Sequence, residues 1–295
     1  MTEPQTAFVL GGGGVLGAHE VGMLEALAES AIEPQLILGT SIGAINGAFF
    51  AAEPSRRGTA RLRELWSEAN LSALSSGALL RRAGTLARSG THVESYGTLR
   101  ARLRELLPVD RVEELAVAFQ CVAASIERAA EHWFDRGPLA DVLLASCAVP
   151  GILPPVRIGD EHFIDGGIVN SIPVSRAVML GARRIFVLQV GRVEQPLRPP
   201  RWPWEVGLVA FEVARRHRFA NDLHSLPDGI ELHVLPTGGS AAPAYNDIAG
   251  QLGLRRPARN VARWVDSAYE ASARYLEEHH CGRQRPAGAS RSRSA

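Results

Sequence analysis

Three things are scarce in this 295-residue chain: lysine, cysteine and long apolar runs. Lysine is absent, so the basic side chains are arginine, and the net charge of only +1 argues against a nucleic-acid partner. The three cysteines are widely spaced, without a metal-binding or redox pattern, which fits a reducing compartment. Because no apolar run reaches about 18 residues, we expect no membrane-spanning helix, and any membrane contact would be peripheral.

The residues that are abundant favour one large globular domain. Hydrophobic residues make up 46% of the chain, and charged residues make up 21%. The first six residues are polar and lack a secretory pattern, so we expect a cytoplasmic protein. We predict one domain over residues 6–280, with its motifs within 6–190, and a disordered Arg/Ser-rich tail at 281–295.

The segment around Ser41 has the pattern of a nucleophile elbow. An apolar run at residues 36–38 precedes it, and an apolar helical pattern follows from residue 44. Gly39 and Gly43 flank Ser41 at the spacing that a sharp strand-to-helix turn requires, because larger side chains would clash there. The alternative is a tight turn in which Ser41 only caps the helix.

A run of glycines follows the first apolar strand, residues 6–10, and precedes a helix. Such a loop can direct several backbone amides at one anionic group, as an oxyanion hole does. Gly12, Gly14 and Gly17 also match the dinucleotide-binding pattern, which requires an acidic residue at the end of the next strand. Here the next strand leads into Ser41, so the nucleotide interpretation lacks its partner residue.

A carboxylate suited to act as a base follows a later short strand, residues 162–164. Asp165 stands at the end of this strand and is followed by Gly166 and Gly167, which allow close backbone approach. The alternative is an ordinary turn aspartate.

Further elements are predicted from apolar periodicity along the chain. The strands are expected near 115–125, 132–134, 184–190 and 230–235. The helices are expected near 61–74, 96–107, 139–147, 173–180, 205–223 and 259–280. Residues 71–90 are interpreted as a surface connection, with a mobile cap or an interfacial segment as the alternatives.

The order of four motifs resembles that of the patatin-like phospholipases. They are the glycine loop 12–17, the elbow 39–43, the segment 145–155 and the Asp165-Gly166-Gly167 turn. The resemblance implies a three-layer α/β/α fold with a mainly parallel sheet, a Ser41 nucleophile, an Asp165 general base, and neither a catalytic histidine nor a cofactor or metal.

The resemblance also implies the roles of the other motif residues. The oxyanion hole would use the backbone amides of Gly12, Gly13 and Gly14, with Ile42 adding a fourth. The supporting glycines are Gly17, Gly39, Gly43, Gly166 and Gly167. The expected substrate is a lipid acyl ester. Leu16 stands where the family usually has Arg or Lys, so a simple acylglycerol or short-chain ester remains open alongside a phospholipid.

Three other functions remain as alternatives. The first is a catalytically inactive patatin-like scaffold, against which the intact Ser41 and Asp165 argue. The second is a hydrolase with a Ser–Asp–His triad, for which His233 in the predicted strand 230–235 is the candidate histidine. Its position inside a strand, rather than on the loop after it, counts against this role. The third is a non-enzymatic regulator that binds a nucleotide through the glycine loop. The oligomeric state is not predicted.

Overall fold

The computed structural model describes residues 5–67, 96–150, 153–190, 196–200, 203–239 and 261–281. Within these ranges, eight strands form one sheet. The strands are Thr6–Leu10 (β1), Leu36–Thr40 (β2), Ala118–Ser125 (β3), Ala130–Phe134 (β4), Val156–Ile158 (β5), Glu161–Asp165 (β6), Arg184–Leu188 (β7) and Glu231–Val234 (β8). Their order is β5-β6-β3-β2-β1-β7-β8, and β4 also pairs with β3.

The centre and one side of the sheet are parallel. Strands β3, β2, β1, β7 and β8 pair in parallel, with Phe8 of β1 level with Ile37 of β2 and Phe186 of β7. Strands β4, β5 and β6 pair antiparallel at the other side. This confirms the expected mainly parallel sheet.

Helices cover both faces of the sheet. They are Ala18–Glu29 (α1), Ile42–Ala52 (α2), Arg56–Leu65 (α3), Tyr96–Leu106 (α4), Leu139–Ser146 (α5), Gly167–Asn170 (α6), Val174–Met179 (α7), Pro203–His224 (α8) and Val261–Glu278 (α9). Alternate residues of β1 enter different apolar clusters. Phe8 and Leu10 pack with residues of α1, α2 and α9, whereas Ala7 and Val9 pack with residues of α7 and α8. The result is the predicted three-layer α/β/α arrangement.

Several element bounds differ from those predicted. Helix α3 begins at Arg56, before the predicted residue 61, because the Ser55 hydroxyl accepts a hydrogen bond from the Gly58 amide and caps it. Strand β3 begins at Ala118, after the predicted residue 115. Strand β5 was not predicted from the sequence. The connection at residues 71–90 and the tail beyond residue 281 lie outside the described residues.

Strand β3 brings the ends of two other strands together. Strands β2 and β4 both pair with Cys121 and Val122, so they lie on opposite edges of β3. Strands β4 and β6 both pair with residues 123–125 of β3, so they also lie on opposite sides of it. Strand β6 is therefore on the same side of β3 as β2. Thr40 is opposite Val122, and Asp165 is opposite Ala123. The end of β2 and the end of β6 therefore meet on one edge.

Of the helices in the described ranges, none has the length and apolar character needed to cross a bilayer.

Candidate active site

Ser41 stands on a strained turn between β2 and α2. Its backbone has φ 54° and ψ −124°, which lies in a region that non-glycine residues rarely adopt. A methyl group on Gly39 would lie 2.4 Å from the Ala44 Cα atom, and one on Gly43 would lie 2.5 Å from the Leu10 carbonyl oxygen. Both positions therefore require glycine, which explains the spacing noted in the sequence.

The Ser41 hydroxyl donates a hydrogen bond to Asp165. The Ser41 Oγ to Asp165 Oδ2 distance is 2.5 Å, and the other carboxylate oxygen, Oδ1, accepts from the Gly167 amide at 2.7 Å. Asp165 is only 6% exposed, and this burial raises its pKa to about 6, while the bonds from Ser41 and Gly167 act in the opposite direction. Near neutral pH the carboxylate is ionised and oriented towards the serine.

Ser146 joins the two parts of this site and was not singled out from the sequence. Its hydroxyl accepts a hydrogen bond from the Ser41 amide at 2.9 Å and donates one to the Val122 carbonyl at 2.7 Å. Its own carbonyl accepts from the Gly166 amide at 3.2 Å. Ser146 thus holds the elbow and the Asp165 turn in one fixed relation to β3.

Cys147 is a buried thiol next to this pair. Burial raises its pKa well above the ordinary value, and the Asp165 charge raises it further. The thiol therefore stays protonated at neutral pH and is not the nucleophile.

The glycine loop lies against Ser41, but one of its amides is already in use. A methyl group on Gly12 would lie 3.5 Å from the Ser41 Cβ atom. The Gly12 amide donates to the Ser171 carbonyl at 3.0 Å, which removes Gly12 from the predicted set of free oxyanion donors. Within the described ranges, the amides of Gly13, Gly14 and Ile42 have no acceptor. Leu16 is buried in the apolar core.

His233 is not part of the site. It lies on β8, level with Phe186 of β7, so three strand spacings, about 14 Å, separate it from β2. Its ring stacks on Phe186, and its nitrogens contact Glu231 at 2.7 Å and the Tyr275 hydroxyl at 3.3 Å. The structure therefore contradicts the triad alternative. Strand β8 lies at the far edge of the sheet from the Ser41 turn, and the His233 imidazole packs in the core.

We expect His233→Ala to keep kcat for a soluble ester within about threefold of wild type, since the ring does not touch Ser41 or Asp165. The loss of its stacking contact should lower the free energy of unfolding by ~1–2 kcal/mol. Steady-state kinetics and urea unfolding of the purified variant check both effects. If His233→Ala lost as much activity as Asp165→Asn, the result would support the triad instead.

Glu231, His233 and Cys281 form a cluster of the side-chain types that bind metals. The Arg184 guanidinium donates to the Glu231 carboxylate at 3.1 Å and to the Cys281 carbonyl at 2.5 Å. This cation neutralises the carboxylate and would repel a metal ion. We therefore assign the cluster a structural role between β7, β8 and the end of α9.

The sheet, the strained elbow and the adjacent glycine loop together define an α/β protein with a serine on a sharp strand-to-helix turn. The chain belongs to the patatin-like phospholipase family, whose family model matches residues 8–178. This confirms the resemblance stated from the sequence, and it favours acyl transfer over the nucleotide-binding alternative.

Curated relatives match the motif-bearing part of the chain. The patatin-like phospholipase domain-containing protein 7 of Mus musculus is 32% identical over 193 residues, covering 65% of this chain and 14% of the relative. An uncharacterised NTE family protein of Mycobacterium bovis is 29% identical over 181 residues, covering 59% of this chain and 46% of the relative. The chain thus matches a small part of the mouse protein and less than half of the bacterial one.

Among solved structures, VipD from Legionella pneumophila has 14% sequence identity and a TM-score of 0.49 to this chain. The superposition covers 94% of this chain and 67% of VipD.

Proposed function

We propose that the protein hydrolyses acyl ester bonds of lipids by a two-residue mechanism in which Ser41 is the nucleophile and Asp165 the general base. The observation that supports this best is the 2.5 Å hydrogen bond from the Ser41 hydroxyl to the Asp165 carboxylate at the strained elbow. The family assignment supports a lipid substrate.

In the first half of the reaction, the Asp165 carboxylate accepts the Ser41 proton as Oγ attacks the ester carbonyl carbon. The carbonyl oxygen becomes an oxyanion, and the amides of Gly13, Gly14 and Ile42 donate to it. Loss of one such donor typically costs ~3 kcal/mol of transition-state stabilisation. Asp165 then returns the proton to the leaving alcohol oxygen, and the acyl group remains on Ser41.

In the second half, water replaces the alcohol. Asp165 accepts a proton from the water, whose oxygen attacks the acyl carbon and forms a second oxyanion at the same amides. When this intermediate collapses, the bond to Ser41 Oγ breaks and Oγ takes the proton back from Asp165. The products are the fatty acid and the free enzyme.

The proposed substrate is defined by its acyl ester group, and the proposal does not specify a headgroup. Leu16 is buried and apolar, so this side chain supplies no cation to a headgroup phosphate. The amides of the loop belong to the backbone and do not depend on Leu16.

The experiment that tests this function is hydrolysis of p-nitrophenyl esters of graded chain length, together with a monoacylglycerol and a lysophospholipid. We expect release of p-nitrophenol and fatty acid, and covalent labelling of Ser41 by a fluorophosphonate. A correctly folded protein that hydrolyses none of these esters, and whose Ser41 is not labelled, would contradict the proposal.

The activity should fall as the pH decreases through about 6. Asp165 acts as a base only when ionised, and burial raises its pKa to about 6, so kcat/KM should be reduced below that value and level above it. A pH–rate profile with a soluble ester measures this. His233→Ala is the matched control, because it should leave the acidic limb unchanged. An acidic limb that disappears in that variant would assign the ionisation to histidine.

A further inference from the structure

Glu20, in the first turn of α1, is buried behind the glycine loop and has no part in the mechanism above. None of its surface is exposed. Its Oε2 atom accepts a hydrogen bond from the Asn46 side-chain amide at 2.7 Å, and within the described residues Oε1 has no partner. Buried carboxyl groups are rare in protein interiors unless they are paired or functional.

The orientation of Asn46 is fixed by Trp66. The Trp66 indole Nε1 donates to Asn46 Oδ1 at 2.9 Å. Because an indole nitrogen can only donate, the oxygen of Asn46 must face Trp66, and its NH₂ group must face the other way. That NH₂ group donates both to Glu20 and to the Gly17 carbonyl, the latter at 2.9 Å. Glu20 is therefore an acceptor in a network with defined directions.

This network lies where the two sources of the oxyanion amides meet. Gly13 and Gly14 belong to the loop that ends at Gly17, whereas Ile42 and Asn46 belong to α2. A methyl group on Gly17 would lie 2.6 Å from the Ile42 Cγ1 atom, so the loop and the helix touch there. The hydrogen bonds of Asn46 and Glu20 fasten this contact and so fix the relative positions of the three amides.

In the part of the chain that the structure describes, no cationic side chain pairs with Glu20. Burial raises its pKa well above the ordinary value, and the hydrogen bond from Asn46 lowers it to a smaller extent. The preceding residue, His19, contacts the Leu16 carbonyl and stacks on Trp264 of α9.

Two polar groups on the neighbouring helices α3 and α9 bind other carboxylates. Arg63 of α3 binds Glu25 of α1 and Asp266 of α9, and Tyr269 of α9 donates to Glu29. Among the described residues, a negative charge on Glu20 would thus have no cationic partner; it would lie behind the amides that receive the oxyanion and would oppose it.

We propose that Glu20 is a positioning residue: as a neutral carboxylic acid it holds the glycine loop against α2, and its ionisation weakens the oxyanion hole. This inference rests on the proposed function, since it concerns the same amides. It predicts that activity declines again at high pH, independently of Asp165, which is already ionised there.

Two variants and a control test the proposal kinetically. Glu20→Gln keeps the shape and an acceptor but cannot ionise, so kcat should stay within about threefold of wild type and the alkaline decline should disappear. Glu20→Met removes the acceptor, so kcat should fall by roughly 10–100-fold with little change in KM. Glu29→Gln, an exposed glutamate on the same helix, should match wild type. A wild-type kcat in Glu20→Met, or a persisting alkaline decline in Glu20→Gln, would overturn the proposal.

A second measurement does not depend on activity. Because Glu20 is neutral in the folded protein up to a higher pH than in the unfolded chain, wild type should lose stability relative to Glu20→Gln as the pH rises above about 4.5. Urea unfolding midpoints between pH 4.5 and 9 measure this difference. Parallel midpoints would overturn the proposal, whether or not the protein hydrolyses esters. An inactive wild type and an inactive Glu29→Gln would instead contradict the proposed function.

Discussion

Ser41→Ala is expected to lower kcat for ester hydrolysis by about 10⁴-fold or more, because it removes the atom that forms the acyl-enzyme. Asp165→Asn should have an effect of similar size, since an amide of the same shape cannot accept the Ser41 proton. Steady-state kinetics with a short p-nitrophenyl ester measure both losses. Neither variant should react with a fluorophosphonate at the wild-type rate.

The stability of Asp165→Asn shows whether its loss of activity comes from the missing base or from misfolding. The pKa of Asp165 is raised in the folded protein, so wild type loses stability as the pH rises from about 4 to about 6. The asparagine variant has no such charge, and its thermal midpoint relative to wild type should therefore be higher at pH 8 than at pH 4. Full activity in Asp165→Asn would contradict the base assignment.

Gly43→Ala is expected to lower the free energy of unfolding by ~4 kcal/mol or more, or to prevent folding. The added methyl group would lie 2.5 Å from the Leu10 carbonyl oxygen and 2.6 Å from its carbon. Both are backbone atoms of a central strand, which cannot move without breaking its pairing with β2 and β7. Circular dichroism and urea unfolding of the purified variant measure the effect.

Gly207→Ala is the matched control for this substitution. Gly207 lies inside α8, and a methyl group there would meet no atom within 4 Å. Alanine should raise the free energy of unfolding by ~0.5–1 kcal/mol, because it favours the helix. If Gly43→Ala were as stable as Gly207→Ala, the elbow would be less tightly packed than the structure indicates.

The local sequence patterns singled out Ser41 and Asp165 separately, and only the family resemblance predicted that the two would act together. Each residue follows an apolar strand, and this local pattern is visible without a structure. Their contact arises because β2 and β6 pair with successive parts of the same side of β3. That arrangement results from pairing between residues far apart in the chain, which composition and periodicity do not report.

The supporting residues were missed for a similar reason. Ser146 bonds to the Ser41 amide across 105 positions of sequence, and nothing local distinguishes its hydroxyl from that of a helix-end serine. Glu20 offered a weak signal, since it shares a helix face with the apolar Leu24 and Leu27, where a solvent-exposed acid is not expected. Gly12 fitted the amide pattern, but its partner Ser171 is visible only in the folded chain.

Because β2 and β6 pair with the same side of β3, only some positions near Asp165 can accept an inserted or deleted residue. The hairpin between β5 and β6 turns at Gly159, which has φ 62° and no close neighbour, so a residue inserted there leaves the pairing of Asp165 with Ala123 intact. A residue inserted between Phe163 and Asp165 would turn the carboxylate to the opposite face of the sheet, because side chains alternate along a strand. Insertions and deletions should therefore be tolerated at the tip of the hairpin. Between Phe163 and Asp165 they should be eliminated by selection.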